Sequence, residues 1–383
     1  MSVRKRTWKT AKGPEKEAWI VDYVDQRGER HIQTFDRKKE ADEYHATVRV
    51  DVRQGIHTPQ SKNITVAEAG DDWIAFVTLE GRERSTLDQY RQHLKHHINP
   101  RIGREKLAKL TTPRINIFRD ELLAHMSRPL AKKVLTSLKA LLRDAKRRGN
   151  VAQNVALDVK ITADKRGKVK LKAGVDIPTP DEIKRIINVA HEKSRALLIT
   201  AIFTGLRSSE LRGLRWQDID LKKGEVHVRQ RADRFNAIGK PKSESGDRTI
   251  PLGPMALNTL KQWKLACPKG DHGLVFPNGI GKLENHSNIV KRILWPAQII
   301  AGVTIPVKDS NGRQRRDENG EPMVEPKYSG LHALRHFYAS WCINRKVDGG
   351  LELPMKTVQE RLGHSSIVMV GQANEATTGQ KYI

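Results

Sequence analysis

Thr204-Gly205-Leu206-Arg207-Ser208-Ser209-Glu210-Leu211 is the stretch from which the architecture of this chain can be read. An apolar run, Ala196 to Phe203, precedes it and reads as a buried helix, which Gly205 ends because glycine takes a left-handed C-terminal conformation without strain. Ser208 or Ser209 can then cap a second helix. Arg207 is thereby set at a helix junction, where a guanidinium and a helix N-terminus both favour anionic oxygens such as those of phosphate. Taken alone, an arginine in an ordinary turn is the commoner meaning.

Two further stretches downstream share this character. In His332-Ala333-Leu334-Arg335-His336, helical spacing puts His332 and Arg335 on one face and turns Leu334 to the core. In Leu362-Gly363-His364-Ser365-Ser366, the glycine ends a helix beginning near Thr357, and Ser365 or Ser366 opens another. Each is weak by itself, since a histidine or arginine near a turn is more often solvated or structural.

Lysine and arginine number 70 against 44 aspartates and glutamates, a formal charge of +26. So large an excess speaks of partners and solubility, not of fold, and a polyanion such as nucleic acid is the natural partner. A basic ribosomal or chromosomal structural protein is the rival on charge alone. No run approaches the ~18 apolar residues that would cross a bilayer, and the basic N-terminus lacks the apolar segment of a secretory signal. Cys267 and Cys342 stand apart without metal-ligand spacing, which fits a reducing compartment. The expected location is the bacterial cytoplasm or nucleoid, with no membrane partner.

Several domains are expected at 383 residues. Residues 1–60 read as a small α+β domain. Trp19, Val21 and Tyr23 alternate, as do His31 to Phe35, around the turn residues Asp25 to Gly28, and Asp36 can cap a helix through Ala41, Tyr44 and Val48. Residues 61–160 read as all-α. Thr65 and Glu68 form a capping box; Leu87, Tyr90, Leu94 and Ile98 lie on a helix ending before Asn99-Pro100; Thr112-Pro113 opens a third; Leu130 to Ala145 marks a fourth that stops at Gly149. That last helix carries Lys132, Lys133, Lys139, Arg143, Lys146, Arg147 and Arg148, which track phosphates or merely solvate a face. Residues 161–177 read as a basic linker. A mainly α (α+β) domain, 178–383, opens with Thr179 as cap, Pro180 at the first helical position, and Ile183, Ile186, Ile187 and Ala190 as its buried stripe. It continues with short strands near Val226 and Arg248 and an exposed hairpin or loop from Val303 to Lys327.

The three stretches in this order, together with Pro241-Lys242-Ser243 and Arg248-Thr249-Ile250-Pro251-Leu252, resemble the catalytic domain of the tyrosine recombinases, the phage integrases, over about Pro178 to Met369. The four-helix unit is similar to that family's core-binding domain, and residues 1–60 to its arm-type DNA-binding domains. The resemblance implies a DNA strand-exchange enzyme working through a 3′-phosphotyrosine. Conserving phosphodiester energy in a covalent intermediate removes the need for an energy cofactor. It implies Arg207 and Arg335 as clamps on the nonbridging oxygens, Lys242 as general acid, and His332 assisting proton transfer. It further implies His364 bonded to the scissile phosphate and Glu210 supporting Arg207. No metal and no cofactor are implied. The implied partners are double-stranded attachment sites of a mobile element and a homotetramer on DNA, with room for a DNA-bending host factor and an excision factor.

The family's tyrosine slot falls on Asn374, which cannot form the phosphotyrosine link, and the next tyrosine is Tyr382. Three accounts stay open: Tyr382 attacks from a longer tail; the tail is altered and the protein is a cleavage-dead, sequence-specific DNA binder; or Tyr328 or Tyr338 serves. Tyr338, so close to Arg335, fits the core better.

Overall fold

The computed structural model describes residues 1–9, 15–25, 28–55, 57, 64–162, 171–241 and 244–363, so Lys242, His364, Asn374 and Tyr382 lie outside the described residues. The chain divides into two compact units, residues 1–167 and 168–383.

The first unit contains two cores. β1 (Ser2–Lys9), β2 (Glu15–Val24) and β3 (Arg30–Phe35) form an antiparallel sheet in that order, with Trp19 opposite both Lys5 and Phe35. α1 (Lys38–Arg53) packs on it, burying Ala41 and Val48 against Val21 and Tyr23. The hairpin and helix expected from the sequence are present, but β1 was not expected. Of its positions facing the helix only Val3 is apolar, so period-two alternation is hidden behind Lys5 and Thr7. The cap of α1 falls on Arg37, not Asp36, and no side chain closes it.

The second core is helical: α2 (Val66–Leu79), α3 (Arg84–His93), α4 (Asn99–Ile102), α5 (Thr112–His125) and α6 (Arg128–Arg148), gathered on Trp73, Ile98, Phe118, Leu138 and Leu142. The Thr65–Glu68 capping box starts α2. The helix expected through Leu87 and Ile98 does not stop before Asn99-Pro100. A π-helical turn, Leu94–Ile98, carries the chain through into α4. The ring of Pro100 would strike the carbonyl four residues back, and widening the helix there relieves the clash without ending it. The cap of α5 is Thr111, while the Thr112 hydroxyl donates to the Val155 carbonyl. α6 ends at Gly149 in the left-handed conformation, as expected.

The second unit starts with α7 (Pro180–Val189), closed by the reciprocal Thr179–Glu182 cap, and α8 (Glu192–Thr204), ended by Gly205 with φ +59°. α9 (Ser208–Gly213) follows; its cap position is Arg207 itself, not Ser208 or Ser209. β4 (Ile219–Asp220), β5 (Glu225–Val228) and β8 (Arg248–Pro251) make one antiparallel sheet, and β6 (Arg231–Ala232) with β7 (Ile238–Gly239) a hairpin between β5 and β8. Then come α10 (Pro254–Ala266), α11 (His286–Ile289) and α12 (Trp295–Ile300), the last two joined by a π turn just before Pro296. β9 (Thr304–Pro306) and β10 (Val324–Pro326) flank an exposed β projection with turns at Asp309 and Asp317, matching the expected surface hairpin. α13 (His332–Ile343) and α14 (Met355–Leu362) complete the unit. α8 lies at the centre: Ala196 to Ile199 and Ile202 are fully or almost fully buried, in contact with α10 and α13. Ile161 closes the helical core and Ile177 the core of the second unit, one at each end of the expected linker.

Candidate active site

Two helices end at glycines that only glycine could occupy, and their last carbonyls converge. At Gly205 a Cβ would sit 2.4 Å from Cδ1 of Tyr338. At Gly363, with φ +62°, it would sit 2.6 Å from the Ser245 carbonyl oxygen. The absence of side chains lets α8 and α14 bring their C-terminal carbonyls close to neighbouring segments. The negative ends of two helix dipoles thus meet a group of arginines, which is the favourable pairing.

Arg335 donates Nη1–H to the Gly205 carbonyl and Nη2–H to the Leu362 carbonyl. It is only 3% exposed, so it does not share the solvent face of His332; the two carbonyls draw it inward. Burial, and then the charge of Arg207, push its pKa down to about 9, which leaves it cationic at neutral pH. Arg207 donates Nη2–H to the Gly363 carbonyl at 2.8 Å and Nη1–H to Oε1 of Glu210 at 2.8 Å, and its backbone N–H to Oε2 at 2.9 Å. Its side chain keeps 37% exposure. A guanidinium has five N–H donors, so those not used here are available at the surface for an incoming oxyanion.

Glu210 is 3% exposed and holds a second arginine, Arg248 at the start of β8, at 3.1 Å (Nη1 to Oε1) and 2.8 Å (Nη2 to Oε2). Burial alone would raise the carboxyl pKa. The hydrogen bonds and charge of Arg248, with those of Arg207, outweigh it and hold the group below the ordinary range. Sequence reasoning missed the part Arg248 plays here. Its one signal was a place in the Arg248-Thr249-Ile250-Pro251-Leu252 stretch, which reads as a strand. Three guanidiniums against one carboxylate leave an excess of two positive charges.

His332, first residue of α13, keeps an exposed edge, but crowding by protein and the charges of Arg335 and Arg207 lower its affinity for a proton. His336 packs nearly perpendicular to it with ring centres 4.5 Å apart, and burial followed by His332 and Arg335 pushes it down to about 4. Arg207, Glu210, His332 and Arg335 are therefore brought together. The other two tyrosines considered as nucleophiles are engaged elsewhere. The Tyr328 hydroxyl donates to Oε2 of Glu182 at 2.7 Å, and Tyr338 is 1% exposed against Gly205. Burial raises the pKa of both phenols, which opposes attack.

On α6, Lys132, Arg143 and Lys146 are exposed on one stripe with Lys139, whose ammonium instead donates to the Leu157 carbonyl at 2.9 Å. Lys133 is exposed to one side of that stripe. Arg147 pairs with Asp144 and lies 3.6 Å over the ring of Phe76, a packing contact. Among the described residues, one cluster has metal-ligand proximity: Asp25, Glu29 and His31 in the first unit. There Oδ1 of Asp25 accepts the Glu29 backbone N–H and Oδ2 meets Nε2 of His31, so the carboxylate is already serving the β2–β3 turn. No helix among the described residues is long and apolar enough to cross a membrane.

Comparison with known proteins gives this arrangement a family. The family model described as "Phage integrase family" matches residues 178–377. The chain belongs to the phage integrase family. The match runs past Met369, further than the sequence motifs suggested, and includes the Asn374 slot. A tyrosine recombinase XerC-like protein of Caldanaerobacter subterraneus subsp. tengcongensis is 24% identical over 357 residues, covering 86% of this chain and 83% of that protein. An integrase of Streptomyces ambofaciens is 26% identical over 323 residues, 79% and 73% of the two chains. Among solved structures, a lambda integrase dimer bound to a COC′ core site superposes with a TM-score of 0.60 at 18% identity, covering 98% of this chain and 95% of that one. The Tn1549 transposon integrase in complex with a circular intermediate DNA gives 0.60 at 18%, covering 81% and 94%. At that identity the shared property is the fold. In this integrase-family chain the fold assembles Arg207, Glu210, Arg248, His332 and Arg335 from separate elements and the loop ahead of α9.

Proposed function

We propose that this chain is a site-specific DNA recombinase that cleaves and rejoins strands through a 3′-phosphotyrosine, integrating or excising a mobile element as a homotetramer on two attachment sites. The observation that carries the reading is the cationic cluster of Arg207, Arg248 and Arg335 around one buried carboxylate, with His332 at its mouth. Such a cluster suits a phosphodiester, whose transition state gains negative charge on the nonbridging oxygens. Arg207 presents unused donors to that charge, and Arg335 supplies buried positive potential behind it. Lys242 is assigned as general acid to the departing 5′ oxygen, His332 to proton transfer, and His364 to the scissile phosphate. Residues 1–60 are assigned to arm-type sites. Residues 61–160 are assigned to the core site, with Lys132, Lys133, Arg143 and Lys146 on phosphates and Lys139 and Arg147 in support. Residues 178–383 are assigned to catalysis.

Tyr328, Tyr338 and Tyr382 are the tyrosines of that last segment, and the first two are buried. Tyr382 is therefore the proposed nucleophile. A second reading is favoured by Asn374, which stands inside the family match where the tyrosine belongs: an integrase-derived, sequence-specific DNA-binding protein without cleavage. A nicked suicide substrate carrying the target site, obtained by selection from random DNA, separates the two. A covalent adduct with the wild type that vanishes in Tyr382→Phe establishes the enzyme. Tight, specific binding with no adduct rejects active recombination and leaves the second reading.

A further inference from the structure

The Arg248 side chain is 6% exposed and makes four hydrogen bonds. Besides the two to Glu210, Nε–H donates to the Arg361 carbonyl at 2.7 Å and Nη1–H to the Gly246 carbonyl at 3.0 Å. Its partners therefore lie on α9, on the turn ahead of β8 and on the last turn of α14. Each partner is a near neighbour, along the chain, of a residue assigned to the phosphate. Glu210 shares its carboxylate with Arg207, Gly246 follows Lys242, and Arg361 precedes His364. Both Glu210 oxygens accept from both arginines, so the carboxylate is saturated and has no lone pair left to bind a substrate itself. A buried ion pair is seldom needed for stability, since an apolar pair of equal volume often does as well. What the planar fork of arginine adds is geometry, because it holds several acceptors in fixed directions.

We propose that Arg248 is the positioning residue of the phosphate site. From beneath, it locks Glu210, and through it Arg207, to the turn that follows Lys242 and to the helix end that precedes His364. It has no access to substrate and is not a catalytic residue. A lysine there would keep the charge but could not bond the Glu210, Arg361 and Gly246 oxygens together in one plane.

This inference rests on the recombinase reading, and the test separates the two. The dissociation constant would be measured for selected target DNA with natural phosphates and for the same DNA bearing a single neutral methylphosphonate, stepped along the cleavage region. Wild type is expected to lose affinity by about tenfold or more at one position, the size of one charge-assisted hydrogen bond. Arg248→Lys is expected to bring that ratio close to one while binding the methylphosphonate DNA as wild type does. A merely structural role would weaken binding to both DNAs equally and leave the ratio intact, which overturns the proposal. Should Arg248→Lys fail to fold, the neutral pair Glu210→Gln with Arg248→Gln takes its place. It removes one positive and one negative charge together, so the net charge of the cluster is unchanged, and it is expected to lose the ratio in the same way. If wild type shows no phosphate discrimination at any position, the recombinase reading itself has failed.

Discussion

Gly205→Ala tests whether the end of α8 is shaped to serve Arg335. The residue sits at φ +59°, where an alanine costs about 1–2 kcal/mol in left-handed strain. Its Cβ would lie 2.4 Å from Cδ1 and 3.0 Å from Cγ of Tyr338, and 3.1 Å from Cδ2 of Leu362. Tyr338 is 1% exposed and Leu362 is fully buried, so neither ring nor methyl can swing aside, and overpacking adds about 1–3 kcal/mol. The sum, about 2–5 kcal/mol, corresponds to a fall in melting temperature of roughly 5–15 °C for a unit the size of residues 168–383. Gly224→Ala is the control in the same unit. It shares the left-handed backbone, φ +71°, but its Cβ would meet only ordinary contacts at 3.7 Å, so strain alone applies. Thermal unfolding followed by calorimetry should show Gly205→Ala several degrees below Gly224→Ala. Its phosphate grip should fall too, because the displaced Gly205 carbonyl is the acceptor of Arg335. Equal melting temperatures for the two variants would falsify the close-contact argument.

Glu210 is held below its unfolded value of 4.5, so it stabilises the fold fully above pH 4.5, and that contribution is lost as pH falls from 4.5 through the lower folded value. Urea unfolding in acid should therefore show wild type losing stability more steeply than Glu210→Gln; parallel curves would contradict it. For His332, crowding is the larger cause of the lowered pKa and the charges of Arg335 and Arg207 come next, so Arg335→Gln should move its NMR titration upward but not fully back to 6.5. A downward or absent shift would mean that the two side chains are not coupled. On α6, Ala at Lys132, Arg143 and Lys146 together should flatten the slope of log K against log salt by about 0.9 for each phosphate no longer neutralised, with sequence preference unchanged. An unaltered slope would make the stripe a solvated face.

Local features were legible in the sequence and long-range ones were not. The starts of α2 and α7 could be read because Thr65–Glu68 and Thr179–Glu182 close over four residues, and the ends at Gly149, Gly205 and Gly363 because φ above zero selects glycine. The passage through Pro100 could not, since a proline reads as a stop, and only packing of Leu94, Ile98 and Ile102 in one core repays the π turn. At the site, helical spacing placed His332 and Arg335 together but not the depth of Arg335, whose acceptors lie 130 and 27 residues away. Arg248 was hidden for the same reason, with partners 38 and 113 residues distant and a strand motif around it.

The site's arrangement answers an electrostatic difficulty. Three arginines close enough to perturb one another repel, and burying them worsens the repulsion because little water screens it. A second acidic residue would offset the charge but would also cancel the field a phosphate needs. Backbone carbonyls solve this differently. Gly205, Leu362 and Gly363 offer partial negative charge at two helix ends, enough to hold Arg335 and Arg207 in place, yet they leave the formal excess of two positive charges untouched. Among the described residues only Glu210 carries a full countercharge here, and it is spent on fixing Arg207 and Arg248. Every bond in this network joins residues between Gly205 and Gly363, so the field exists without any ligand. On the recombinase reading proposed above, a phosphate entering there would displace no carboxylate, and little reorganisation would remain for the moment when charge develops on its oxygens.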